Sequence, residues 1–119
     1  MNIKHLVKTA QAIVAPGKGI LAADESSNTI KKRFDSICVD STDANRRDYR
    51  ELLFRTEGIA EHISGVILYD ETIKQNSIDN TPLVKVIEDQ GMIPGIKVDV
   101  GGKKLAGSPE EQVTEGLDG

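Results

Sequence analysis

Residues 15–26 read Ala15-Pro16-Gly17-Lys18-Gly19-Ile20-Leu21-Ala22-Ala23-Asp24-Glu25-Ser26. Pro16 and Gly17 stop whatever helix precedes them. Gly19 to Ala23 is then a short, almost wholly apolar run, as expected of a strand covered on both faces. A carboxylate, Asp24, stands at the C-terminal end of that strand, and Ser26 or Ser27 is placed to cap a following helix. Parallel α/β proteins put their chemistry at the C-terminal ends of their strands. Asp24 is therefore a candidate site residue. On spacing alone, a role in capping the next helix explains it equally well.

The same grammar repeats on either side. Ile3, Leu6, Val7, Ala10, Ile13 and Val14 follow helical spacing. Ile30, Arg33, Phe34 and Ile37 form the stripe of the helix after Ser26, with Arg33 at its edge. Ser41, Thr42 and Asp43 open another helix, whose stripe is Arg46, Tyr49, Leu52 and Leu53. Asp43–Arg47, Arg47–Glu51 and Glu51–Arg55 are spaced to solvate its outer face as i,i+4 ion pairs. Gly65 to Tyr69 is a second strand-like run, ending at Asp70 and Glu71. Thr81 is expected to cap a helix with Pro82 at its first position, closed by Gly91. Ile93 to Val98 reads as a third strand, followed by a turn at Gly101-Gly102. Ser108-Pro109-Glu110-Glu111 has the signature of a further helix, with acidic residues in its first turn. Alternation of this kind predicts an α/β fold with parallel strands and crossover helices.

Composition narrows the function. The 119 residues carry a net charge of −4 and are 38% hydrophobic, which suits one globular domain. Aromatic residues are 3% of the chain, too few for a stacking platform on single-stranded nucleic acid. No apolar run approaches membrane-spanning length, so neither a nucleic-acid nor a membrane partner is expected. One cysteine, Cys38, excludes an internal disulfide framework and fits a reducing cytosol. With no His nearby in sequence, Cys38 is expected to be an inert, partly buried thiol. His5 and His62 stand apart and make no metal signature. Lys18-Gly19 lacks the upstream Gly and the following Ser or Thr of a phosphate-binding P-loop.

Alternation along the third strand places Ile93, Gly95, Lys97 and Asp99 on one face. A lysine in an otherwise buried strand is costly unless its ammonium meets an anion or reaches water. Asp24 shares a face with Ile20 and Ala22. In a barrel the first and third strands fill the same layers, so Asp24 and Lys97 meet across one cavity mouth. Such a pair keeps the carboxylate ionised and offers an anionic substrate a cation. Arg33 and Arg46 lie on packed stripes near the same end. A guanidinium fork suits phosphate, and a structural ion pair would account for either arginine as well.

Residues 15–26 closely resemble the first-strand signature of class I fructose-1,6-bisphosphate aldolases. Three further stretches agree in order and spacing: Asn45-Arg46-Arg47-Asp48-Tyr49-Arg50-Glu51-Leu52-Leu53 is similar to the family's Arg-rich helix, Gly65-Val66-Ile67-Leu68-Tyr69-Asp70-Glu71-Thr72 to its second strand, and Gly95-Ile96-Lys97-Val98-Asp99 to its third. Gly116-Leu117-Asp118-Gly119 resembles a segment just after that strand. The resemblance covers nearly the whole chain.

It implies a (β/α)8 barrel of which residues 1–119 supply the first three strands and their helices. It implies a metal-independent, cofactor-free lyase of glycolysis and gluconeogenesis, cytoplasmic and homo-oligomeric at full length. That enzyme reversibly cleaves fructose 1,6-bisphosphate to dihydroxyacetone phosphate and glyceraldehyde 3-phosphate. A catalytic lysine forms a Schiff base with the substrate ketone. By motif, Asp24 matches the aspartate that assists proton transfer, and Lys97 the third-strand lysine that holds substrate. Arg33 and Arg46 match arginines linked to phosphate binding, while Ser26 and Thr29 fall in the matching loop. Asn28 and Cys38 stand where glycines are common in the family, and the Gly101–Ser108 loop is only loosely similar. The Schiff-base lysine has no match in these residues, and Lys97 matches a different lysine. A barrel needs roughly 250 residues, so the 119-residue chain by itself is expected to be inactive. The contrasting expectation is a non-catalytic fragment acting through binding or assembly, since an open strand edge tends to pair with other chains.

Overall fold

The computed structural model describes residues 2–118, so Gly119, the last residue of the Gly116–Gly119 stretch, lies outside the described residues. Helix α1 (Ile3–Ile13) leads to strand β1 (Gly19–Ala23), helix α2 (Ser27–Asp35), helix α3 (Asp43–Phe54) and a short helix α4 (Ile59–His62). Strand β2 (Ile63–Leu68), helix α5 (Asp70–Ile73), helix α6 (Leu83–Asp89) and strand β3 (Ile93–Ile96) follow. Strands β4 (Gly101–Leu105) and β5 (Ser108–Glu115) end the described chain. β1, β2 and β3 form a parallel sheet in that order. This is the expected α/β alternation, with helices carrying the chain back between parallel neighbours.

Local signals set most of the boundaries. The Ser26 hydroxyl accepts the Thr29 N–H at the start of α2, and Thr42 accepts the Asn45 N–H at the start of α3. Each satisfies one of the orphan donors of a first helical turn. At α6 the expectation fails: Pro82 itself is the N-cap, and no side chain caps it. Thr81 is held instead in the preceding loop, where its carbonyl accepts from Ser77 N at 2.8 Å and from Ser77 Oγ at 2.8 Å.

The register of the sheet divides its residues between two faces. Leu21 pairs with Val66 and Val66 with Pro94; Ala23 pairs with Leu68 and Leu68 with Ile96. Ala23, Val66 and Leu68 pack with Phe54 of α3, with Leu83, Val86 and Ile87 of α6, and with Met92. Full burial of side chains of this size contributes about 1.5–3 kcal/mol each. The opposite face carries Ile20, Gly65 and Ile93 in one row and Ala22, Ile67 and Gly95 in the next. Ile20 is half exposed there. α1 crosses the N-terminal end of the sheet, where the Ser64 hydroxyl donates to Ile13 O at 2.5 Å and Gly19 O at 3.2 Å. The apolar stripe of α1 forms as a helix but is not buried: Ile3, Leu6, Val7 and Val14 are exposed.

Four expectations are overturned here. Ser108-Pro109-Glu110-Glu111 begins no helix but strand β5, antiparallel to β4. Val113 is the one large apolar residue in Ser108–Glu115, so a helix there would have no stripe to bury. The ribbon turns at Gly107, with φ 81°. It closes at Gly116, with φ 93°, where a Cβ would stand 2.8 Å from Val100 N and 3.1 Å from Val98 O. Only glycine fits that conformation and that approach. In α3, Leu52 points to solvent while Arg50, Glu51 and Phe54 are buried. Of the three outer-face ion pairs, only Glu51–Arg55 forms, and Glu51 is buried with the Ile78 N–H on its other oxygen at 2.9 Å. Arg47 pairs with Asp48 instead. Cys38 is exposed rather than partly buried, and its φ of 56° lies in the left-handed region. That conformation is why a glycine suits the position.

Phe54, fully buried where α3 meets the sheet, tests the core. Phe54→Ala is expected to lower the unfolding free energy by about 3–5 kcal/mol, read from the midpoint and slope of a urea titration.

Candidate functional site

Continuing the register one residue past the strands places Asp24, Tyr69 and Lys97 in one row at the C-terminal edge of the sheet. The Lys97 N–H donates to Leu68 O at 2.9 Å, which extends the parallel ladder to that residue. All three side chains share the face of Ala22, Ile67 and Gly95. Lys97 Nζ stands 3.6 Å from Asp24 Oδ2 and 3.0 Å from Asp99 Oδ1. Both carboxylates and the ammonium are roughly a quarter to a third exposed.

The hydrogen bond to Asp99 is the main cause that raises Lys97 above the ordinary lysine range, with Asp24 adding to it. Asp99 is held below the usual carboxylate range by the same bond. Lys97 is therefore firmly protonated at neutral pH. A protonated lysine donates hydrogen bonds and attracts anions; it does not attack a carbonyl as a free amine.

Beside this row lies a cavity of about 380 Å³ lined by Ser26, Tyr69, Lys97, Asp99, Val100 and Gly101. Ser26 and Thr29 meet at the N-terminus of α2, their hydroxyl oxygens 3.1 Å apart. So the structure brings together Asp24, Lys97 and Ser26, with Thr29 one hydroxyl behind.

The two arginines are placed differently. Arg33 Nη1 donates to Glu25 Oε1 and, at 3.2 Å, to Tyr49 Oη. More than half of its side-chain surface stays in solvent. Arg46 is largely buried and grips Glu71 with both prongs, Nε to Oε2 at 2.8 Å and Nη2 to Oε1 at 2.5 Å. Its Nη1 donates to Ser41 O at 2.5 Å. Neither arginine lines the cavity; each holds a structural ion pair.

Three residues of this end were not singled out from the sequence: Glu25, Arg50 and Glu71. Arg50 is fully buried and donates Nη2 to Glu25 O at 2.7 Å. Its nitrogens also approach Glu25 Oε2 at 3.8 Å and Glu71 Oε2 at 3.6 Å. A signal was present. Asp24-Glu25 and Asp70-Glu71 are acidic pairs just past two strand ends, and Arg50 follows Arg46 by one helical turn.

The hydrogen bonds from Arg46 hold the Glu71 carboxyl below the ordinary glutamate range, against the opposing effect of burial. A depressed carboxyl contributes stability above its unfolded pKa and loses it as pH falls through the folded value. Stability to urea is therefore expected to drop as pH falls below about 4.3. Glu71→Gln should flatten that acid limb, as followed by urea midpoints across pH 2.5–6.

Comparison with known proteins agrees along the whole length. The sequence model described as Fructose-bisphosphate aldolase class-I matches residues 5–119. A protein of Xanthomonas campestris pv. campestris named "Probable fructose-bisphosphate aldolase class 1" is 57% identical over all of this chain and 36% of its own length. Fructose-bisphosphate aldolase 1 of Toxoplasma gondii is 55% identical over 98% of this chain and 32% of its own. A spinach relative, named as a cytoplasmic isozyme, is 53% identical over 97% of this chain. The fold is similar to that of the Plasmodium falciparum fructose-bisphosphate aldolase, solved in complex with TRAP and a small-molecule inhibitor. There the TM-score is 0.90 at 50% identity, over 97% of this chain and 33% of that one. The chain spans about a third of the length of the relatives it matches.

Proposed function

The chain belongs to the class I fructose-bisphosphate aldolase family, and on that premise we propose that residues 1–119 form the first three β/α units of a single (β/α)8 barrel domain. In that barrel they supply one wall of a site that reversibly cleaves fructose 1,6-bisphosphate to two triose phosphates. The observation that carries this reading is the Asp24–Lys97 pair, 3.6 Å apart at the C-terminal edge of three parallel strands. Enzymes of barrel architecture place their reacting groups at that edge.

The roles follow from the chemistry of each group. Asp24 accepts and returns protons of the substrate hydroxyls and orients them. Lys97, held cationic by Asp99 and Asp24, binds the anionic substrate through hydrogen bonds. Ser26 and Thr29 present hydroxyls at the N-terminus of α2, which favours a phosphate. Arg33 meets a phosphate from its exposed position without giving up Glu25. Arg46 does so only by exchanging the Glu71 carboxylate for phosphate, since its fork is already filled. The Schiff-base lysine comes from a strand outside these three. Its amine condenses with the substrate ketone, water leaves, and the iminium draws the electron pair from the breaking C–C bond. No metal or cofactor takes part. The full-length enzyme is a cytoplasmic homo-oligomer of glycolysis and gluconeogenesis, without a nucleic-acid or membrane partner.

A second reading, association through exposed apolar surface, is favoured by the half-exposed Ile20 on the uncovered sheet face and by the apolar stripe of α1. The purified 119-residue chain serves both readings. In a coupled assay it is expected to show no turnover of fructose 1,6-bisphosphate, and turnover above a contaminant control would refute the division of labour proposed above. On size exclusion, a clean monomer would count against association.

The role of Asp24 is tested in an enzyme assembled from this chain followed by the remainder of the X. campestris relative. Asp24→Asn is expected to reduce kcat about 100-fold while KM changes little. Unchanged turnover would remove Asp24 from the reaction.

A further inference from the structure

Five side chains of alternating charge run beneath the candidate site. Arg33 pairs with Glu25, Glu25 faces Arg50, Arg50 faces Glu71, and Glu71 pairs with Arg46. Arg50 is the centre of this chain and is wholly buried. Burial pushes its proton affinity down, and the two carboxylates oppose that. An ion in such a place is expensive, and replacing it by apolar groups is often neutral or stabilising. Stability alone is thus a weak account of this arginine.

Its hydrogen bonding points elsewhere. The strongest contact of Arg50 goes to a main-chain atom: Nη2 donates to the Glu25 carbonyl at 2.7 Å, one residue after Asp24. Neither Nε nor Nη1 has a hydrogen-bond partner. The guanidinium also stands 5.9 Å over the ring of Tyr69, which lies between Asp24 and Lys97 in the edge row. Arg50 therefore touches the turn after β1, the residue closing β2, and the first turn of α5 through Glu71. It joins the end of β1, which carries Asp24, to the end of β2, the strand that lies between β1 and the Lys97-bearing β3.

We propose that Arg50 is a positioning residue: its guanidinium clamps the β1 and β2 strand ends and thereby holds Asp24 at its distance from Lys97. The inference rests on the aldolase reading of Asp24 and Lys97. A planar fork reaches the Glu25 carbonyl, two carboxylates and a ring face at once; an ammonium is a point charge and does not. Lysine at this position keeps the charge and loses the clamp.

The test uses the same assembled enzyme, assayed for cleavage of fructose 1,6-bisphosphate. Arg50→Lys is expected to lower kcat about tenfold or more, with KM within about threefold, because the loss falls on the transition state. Added to Asp24→Asn, it should cost less than about twofold further, since it acts through that carboxylate. An unchanged kcat in Arg50→Lys, or fully multiplicative losses in the double variant, would overturn the proposal. Should Arg50→Lys not fold, Arg50→Met with Glu25→Gln removes both charges at similar volume. Reduced kcat in that folded pair supports the clamp, and full kcat overturns it. If Asp24→Asn alone leaves turnover intact, the reading of the site fails; if Asp24→Asn slows the enzyme and Arg50→Lys does not, only the clamp fails.

Discussion

In the β1–β2–β3 sheet, backbone hydrogen bonds lock Ala22 beside Ile67 and Gly95, and the next row outward is Asp24, Tyr69 and Lys97. A slip of one residue would turn every side chain of a strand to the opposite face. Leu21, Ala23, Val66 and Leu68 would leave α3 and α6, and Asp24 would point into the helical layer. Core packing and site geometry are therefore one constraint. The apolar contacts that fix the register also aim the carboxylate and the ammonium at each other.

Charge is concentrated at the same edge, in two linked groups. Asp24, Lys97 and Asp99 are partly exposed, and Lys97 and Asp99 line the cavity. Arg46 and Arg50 lie deeper, with Glu71, as exposed as Asp24, between them. Water screens the first group, whereas the fully buried Arg50 guanidinium is costly to leave unpaired. In the proposed site the outer row is the part that meets substrate, and the inner chain is the part proposed to hold that row.

The legible parts of the sequence are those governed by neighbours. Gly19–Ala23 is a strand with the expected ends, and Ser26 and Thr42 are caps because their hydroxyls reach N–H groups three residues away. Two sites failed where a distant partner decides. Ser108-Pro109-Glu110-Glu111 carries good helix-start chemistry, yet it pairs with Gly101–Leu105, and the Val100 N–H closes on Glu115 O at 2.9 Å. In α3 the apolar stripe includes Leu52, but two acidic turns draw in Arg50, and Arg55 and the Ile78 N–H hold Glu51. A helical wheel ranks residues by hydropathy and has no means of knowing that two carboxylates stand opposite an arginine.

From the sequence by itself come the alternating elements, the faces of the strands, the acid at the end of β1 and the lysine at the end of β3. These depend on backbone period and on contacts within a few residues, which amino-acid order specifies directly. Only the tertiary structure decides that Arg33 and Arg46 are engaged by Glu25 and Glu71, that Lys97 is shared between Asp24 and Asp99, and that Arg50 sits at the centre of the charges. Those partners lie up to 73 residues apart in the chain, as Asp24 and Lys97 do. Their pairing exists only once the parallel ladder has closed the loops between them, and the strength of each pair depends on how much water that closure excludes.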